Sequence, residues 1–198
     1  MQKFIVGLTG PTGSGKSTIQ KLALALGFFC IDADKVARKA TEKGSPLLPK
    51  LQKEFGDILN PDGSLNRAAL AEVAFKDIDS TNRLNSITLP YILKDIENII
   101  KKAPNRFILL DAPTLFEAGA QKICSTTVGV IADEEIRIKR IIERDGISEE
   151  AALLRINAGK PESFYLDNCN YVLTNNGSVD EFLEDANALL NKFISEAV

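Results

Sequence analysis

The chain has 198 residues, 44% apolar and 26% charged, a soluble globular balance with length for one sizeable core and an insertion rather than two equal domains. Its 27 acidic and 24 basic residues leave a net charge of −3, which excludes the broad positive field of a general nucleic-acid or membrane-surface binder. There is no histidine, so proton transfer falls to carboxylate, water, lysine or tyrosine, and no metal can be held by imidazole.

Lys3-Phe4-Ile5-Val6-Gly7-Leu8 is an apolar run of strand length, and Gly10-Pro11-Thr12-Gly13-Ser14-Gly15-Lys16-Ser17 follows it as a complete G-x-x-x-x-G-K-[ST] loop. Glycines let consecutive backbone N–H groups curl around an anion. Lys16 offers a point charge to β- and γ-phosphates, and Ser17 a hydroxyl to Mg²⁺ at a helix N-terminus. Ile19, Leu22, Ala23 and Leu26 then recur on one helical face, closed by Gly27. Phe28-Phe29-Cys30-Ile31 predicts a second buried strand ending at Asp32-Ala33-Asp34, which sets two carboxylates at a strand's carboxyl end, where open α/β sheets bind ligands.

From Lys35 to about Lys102 the pattern is helical, interrupted at Gly44-Ser45-Pro46, Pro61-Asp62-Gly63 and Leu89-Pro90. Phe107-Ile108-Leu109-Leu110-Asp111 and Val128-Gly129-Val130-Ile131 predict central parallel strands buried on both faces. Asp111 either closes its strand as a magnesium-holding aspartate or caps a turn. Asp133 to Arg144 predicts a helix with Ile138, Ile141 and Ile142 on one side and Arg137, Arg140 and Arg144 on another. A further helix opens at Ser148 and carries Arg155. Tyr171-Val172-Leu173 predicts the last strand, and Ser178 with Glu181 forms a capping box before an amphipathic closing helix. Cys30, Cys124 and Cys169 are odd in number and fit no zinc spacing, which points to free thiols in a reducing compartment. No stretch approaches membrane-spanning length and no signal-peptide pattern opens the chain, so a cytoplasmic location is expected, without membrane or nucleic-acid partners.

Alternating strands and helices predict an α/β, three-layer α/β/α fold with a five-stranded parallel sheet, the loop lying at the centre of its carboxyl edge. Residues 1–34 and 104–198 form the expected nucleotide-binding core, including a lid at approximately 137–168, and residues 35–103 a helical acceptor-binding insertion. Three activities suit such a loop: a small-molecule kinase, a GTPase-like switch, and an ATPase or non-catalytic nucleotide-binding regulatory module. The guanine-specifying N-K-x-D segment is absent, and the length leaves little room for motor elements. A kinase needs a base near its acceptor, a second pocket and positive charge over the transferring group, and the chain offers a candidate for each.

The chain resembles the dephospho-CoA kinase family from end to end. The resemblance rests on Gly7-Leu8-Thr9-Gly10 leading into Gly13-Ser14-Gly15-Lys16-Ser17-Thr18, on Ile31-Asp32-Ala33-Asp34 with Ala37-Arg38, and on Phe55-Gly56. Asp62-Gly63-Ser64-Leu65-Asn66-Arg67, Leu84-Asn85, Ala112-Pro113-Thr114-Leu115-Phe116-Glu117, Arg140 and Arg144-Asp145 extend it. It implies a P-loop kinase fold and Mg²⁺-dependent transfer of the ATP γ-phosphoryl group to the ribose 3′-hydroxyl of dephospho-CoA; a monomer or weak homo-oligomer is expected. A kinase for another small alcohol, such as a nucleoside or nucleotide, is the alternative on the same fold.

By the same resemblance Asp34 is the catalytic base, with Asp32 and Arg38 beside the acceptor; spacing alone does not choose between the two carboxylates. A carboxylate is a weak base, so it would orient the hydroxyl and take its proton late. Gly13, Ser14, Gly15, Lys16, Ser17 and Thr18 hold ATP, Lys16, Arg140 and Arg144 stabilise transferring charge, and Ser17 and Asp111 hold the metal. Glu117 is an acceptor-site carboxylate or an arginine's partner. Three positions depart from the family pattern: Leu89 stands for the usual histidine before proline, Gly159 for a lid glutamine, and Cys169-Asn170 for Ala-Asp before the last strand.

Overall fold

The computed structural model describes residues 2–196. Chain contacts divide it into two compact units, one formed by the residues up to Ile31 together with those from Ala103 onward, the other by Asp32–Lys102. The strands are β1 (Phe4–Thr9), β2 (Phe29–Asp32), β3 (Phe107–Asp111), β4 (Thr126–Ile131) and β5 (Tyr171–Thr174), in the spatial order β2-β3-β1-β4-β5. β1 pairs in parallel with β3 and β4, and β4 in parallel with β5. The loop that leaves β1 therefore starts from the middle of the sheet, as expected from the sequence.

Alternation along the strands separates two faces. On one, Val6, Leu8, Leu109, Val128 and Val130 pack against Ile19 and Ala23 of α1 (Lys16–Ala25) and against Phe182, Ala186, Leu190 and Phe193 of α9 (Val179–Glu196). On the other, Gly7 meets Leu115 and Cys124, and Gly129 meets Tyr165 and Cys169 at α8 (Glu162–Asn168). Fully burying each of these large apolar side chains contributes about 1.5–3 kcal/mol. The closing helix starts as its sequence dictates: Ser178 N–H and Oγ–H both donate to Glu181 Oε2 at 2.8 Å, and Glu181 N–H returns a bond to Ser178 Oγ. Helices α6 (Glu134–Asp145) and α7 (Glu149–Asn157) share a small cluster of Ile141, Ala152 and Ile156. The short α8 falls in a stretch where the sequence carries no helical period long enough to read.

The second unit holds α2 (Ala33–Ala40), α3 (Leu48–Phe55), α4 (Arg67–Ala74) and α5 (Ile78–Lys102) around Leu47, Leu48, Leu51, Ile58 and Leu70. Asp32, the last residue of β2 and the N-cap of α2, and Asp34 in the first turn of α2 were expected with the nucleotide-binding core and fall in this unit. A helix break was expected at Leu89-Pro90, yet α5 runs through it with Pro90 inside. A proline there costs about 3 kcal/mol in ladder bonding and crowding. The offset is apolar surface on both sides of it, since Leu84, Ile87, Tyr91 and Ile92 all pack on the same cluster while the proline ring itself is exposed. No helix among the described residues is long and apolar enough to cross a membrane.

Candidate active site

The loop's backbone takes conformations that only glycine adopts without strain: φ is +145° at Gly10 and +106° at Gly15. Space forbids side chains there as well, because a Cβ on Gly10 would lie 2.2 Å from Val130 O and one on Gly15 2.2 Å from Asn175 Nδ2. Gly15 is the N-cap of α1, whose first turn carries no acidic residue, so the positive end of the helix dipole stays open to an anion. Thr18 N–H closes the first turn on Gly15 O at 3.0 Å. Lys16 Nζ folds back on the loop and donates to Gly10 O at 2.7 Å and Pro11 O at 3.2 Å. Ser17 is exposed on the same turn.

Helix α6 braces this loop from outside. Arg137, only 7% exposed, donates from Nε to Thr12 O at 2.9 Å, and burial pulls its guanidinium below its usual basicity while Glu134, Tyr165 and Glu162 oppose that shift. Arg140 donates from Nη1 to Ser14 O at 3.5 Å and from Nη2 to Asn175 Oδ1 at 3.1 Å. Two buried polar atoms in this region, Ser14 Oγ and Arg137 Nη2, have no hydrogen-bond partner. Such orphans cost free energy unless a ligand meets them. A loop with no room for a Cβ at Gly10, Gly13 or Gly15, an open helix N-terminus and these uncommitted donors fit a polyphosphate.

Arg144 lies one turn further along α6 and is engaged elsewhere. Its Nε and Nη2 hold both oxygens of Asp145 at 2.7 and 2.8 Å, and Arg155 Nη1 pairs with the same carboxylate. The Arg144 hydrogen bonds, aided by the charges of both arginines, hold the Asp145 carboxyl down at about 2. Asp111 ends β3 opposite Leu8 of β1, beside the start of the loop. Burial first and the Asp111 charge second push the Cys30 thiol up to about 11. Glu117 is exposed, and its charge reaches Tyr165, whose hydroxyl burial and that charge both shift upward.

In the second unit the two sequence carboxylates part company. Asp32 is the N-cap of α2: its Oδ1 accepts from Lys35 N–H at 3.0 Å and its Oδ2 pairs with Lys35 Nζ at 3.3 Å. Asp34 is exposed and lines a cavity of about 380 Å³ with Arg38, Thr41, Arg67 and Thr88, over an apolar floor that includes Leu65 and Leu70. Arg67 was absent from the site residues expected from the sequence. It is delivered by a local device: Asp62 Oδ1 accepts from Ser64 N–H and Oγ–H, Gly63 N–H closes the turn on Asn60 O, Leu65 is buried, and Asn66 caps α4 through Ala69 N–H at 3.0 Å. Arg67 Nη2 then donates to Thr41 Oγ1 at 3.0 Å. The signal was present in Asp62-Gly63-Ser64-Leu65-Asn66-Arg67, read there only as a resemblance. Leu89 does not line this cavity, which its neighbour Thr88 does.

Comparison with known proteins adds what geometry alone leaves open. The model of the family described as dephospho-CoA kinase matches residues 4–181. The chain belongs to the dephospho-CoA kinase family. A relative from Corynebacterium glutamicum named dephospho-CoA kinase is 37% identical over 194 residues, covering 96% of this chain and 97% of that one. Among solved structures, TT1252 from Thermus thermophilus matches with a TM-score of 0.83 at 30% identity, over 97% of this chain and 98% of its own. The dephospho-CoA kinase from Campylobacter jejuni matches over the whole of both chains, with a TM-score of 0.72 and 26% identity. The α/β P-loop kinase architecture, the kinase class and the family membership of this chain follow.

Proposed function

We propose that the chain transfers the γ-phosphoryl group of ATP to the ribose 3′-hydroxyl of dephospho-CoA, releasing ADP and coenzyme A. The family match across residues 4–181 carries this reading, because it spans both the phosphate loop and the segments that form the Asp34 cavity. Gly13, Ser14, Gly15, Lys16, Ser17 and Thr18 bind the ATP phosphates through backbone N–H groups, an ammonium and the helix terminus. The acceptor oxygen bonds to the γ-phosphorus as the bond to the β–γ bridging oxygen breaks and its electron pair leaves with ADP. The hydroxyl proton passes to the Asp34 carboxylate and on to water.

Asp34 is favoured over Asp32 as base because the Asp32 carboxylate is spent on capping α2. Arg38 and Arg67 flank the Asp34 cavity with positive charge suited to an acceptor bearing phosphates. Lys16, Arg140 and Arg144 stabilise charge on the transferring group, Arg144 after exchanging Asp145 for the nucleotide. Ser17 and Asp111 are hard oxygen donors of the kind that hold Mg²⁺ while it keeps waters and phosphate oxygens. When bound there, the ion neutralises charge on the β- and γ-phosphates. Glu117, which is exposed, is read as an acceptor-site carboxylate from the family pattern of Ala112-Pro113-Thr114-Leu115-Phe116-Glu117. A coupled assay of ADP release tests the reading: turnover is expected with dephospho-CoA, ATP and Mg²⁺, and turnover that ignores the acceptor or prefers a nucleoside refutes it.

A further inference from the structure

We propose that Asn175 is a positioning residue of the phosphoryl-transfer site, holding the anion loop in its binding conformation and aiming Arg140. The inference rests on reading residues 10–18 as the ATP cradle. Asn175 follows β5, is 5% exposed, and is tied to the sheet by its own N–H, which donates to Ile131 O at 2.8 Å. Its side-chain amide makes two further bonds of opposite sense: Nδ2 donates to Ser14 O at 2.8 Å and Oδ1 accepts from Arg140 Nη2 at 3.1 Å.

The chemistry explains why an amide stands there. A loop that aims its N–H groups inward at an anion must turn carbonyls outward, and a buried carbonyl turned away from the ligand needs a donor of its own. Ser14 O is such a carbonyl, and Asn175 supplies the donor while Arg140 adds a second, longer bond. The guanidinium in turn needs an acceptor to hold its plane, which the same amide provides. The two partners fix the amide's orientation, since a carbonyl only accepts and a guanidinium only donates. Aspartate would set oxygen against the Ser14 carbonyl, and alanine would reach neither partner. The contact also accounts for Gly15, whose missing Cβ is the space that Asn175 Nδ2 occupies.

The test uses the full chain with Asn175→Asp, Asn175→Ala, Arg140→Ala and the double variant Asn175→Ala/Arg140→Ala. Melting curves accompany steady-state kinetics and calorimetric titration with a non-hydrolysable ATP analogue. The proposal expects tenfold or greater loss of analogue affinity and of kcat in both Asn175 variants, an unchanged KM for dephospho-CoA, and a double variant little worse than the poorer single one. ATP parameters within twofold of the parent, fully multiplicative losses in the double variant, or loss of the folded state in both Asn175 variants would each overturn it, the last by making the residue merely structural. Should the parent chain fail to phosphorylate dephospho-CoA, the acceptor assignment falls while the analogue titration still decides the role of Asn175.

Discussion

Replacing each of the two neighbouring aspartates separates structure from chemistry at the Asp34 cavity. In Asp32→Asn the amide oxygen still accepts from Lys35 N–H, so Asp32→Ala is the informative change: it removes the cap bond at 3.0 Å and the ion pair at 3.3 Å. Loss of an N-cap costs about 1 kcal/mol. The ion pair adds little, because Lys35 is exposed and the pair is screened. For a chain of 198 residues this corresponds to a melting temperature lower by about 2–4 °C, with kcat for dephospho-CoA reduced only modestly. Asp34→Asn touches no cap. It removes only a carboxylate from the exposed first turn of α2, so it should lower melting by no more than about 2 °C, and lower kcat by about 10²–10⁴-fold, the range for losing a positioned base, with ATP affinity intact. Differential scanning fluorimetry, calorimetric ATP titration and the ADP-release assay on both variants read all three quantities. The reasoning is refuted if Asp34→Asn keeps parental kcat, or if Asp32→Ala abolishes turnover without lowering the melting temperature.

Gly15→Ala should lose about 2–5 kcal/mol by urea unfolding together with most ATP affinity, from a strained positive φ and from displacement of the buried Asn175 amide; parental stability would contradict the close approach. The Asp145 carboxyl, held at about 2 by Arg144 and Arg155, lies below the unfolded value of about 3.9, so its stabilising contribution is present above about pH 4 and fades as pH falls toward 2. Carboxyl-carbon NMR should place its inflection near 2, whereas an inflection near 4 would mean that the arginine pairing is not populated. Burial pushes Cys30 and Cys169 up to about 11 and Cys124 to about 12. Alkylation at pH 8 should therefore be on the order of a hundredfold slower than for a free thiol at Cys30 and Cys169 and on the order of a thousandfold slower at Cys124 in the native protein, and ordinary after denaturation, as mass spectrometry would read.

Legibility in the sequence followed the range of the forces involved. Strand β1, the glycine loop and the first helix stand in one short segment where apolar period, backbone permissiveness and Lys16-Ser17 chemistry coincide, so the phosphate-binding motif reads without a fold. The capping box at Ser178 and Glu181 is equally local, and both its partners lie within one turn. Helix α5 continues through Pro90 against the local signal, because a proline's cost is local while the burial that overrides it comes from α2, α3 and α4. Asp32 and Asp34 looked equivalent as a pair, since the onset of helix at Ala33, which makes one a cap, is not marked by composition.

By itself the amino-acid order determined the layered α/β class, the central strand with its anion loop, and the family pattern, because each is written in residues close together or in simple periodicity. Only the folded molecule decided that Arg137 and Arg140 grip Thr12 and Ser14 carbonyls across more than a hundred residues of chain, that Asn175 joins loop to guanidinium, and that Arg144 is held by Asp145. These outcomes depend on the strand order that sets β4 beside β1 and β5 beside β4, and on competition among buried donors and acceptors. A hydrogen bond selects its partner by proximity in space, and that proximity is set by packing of the whole sheet and its helices.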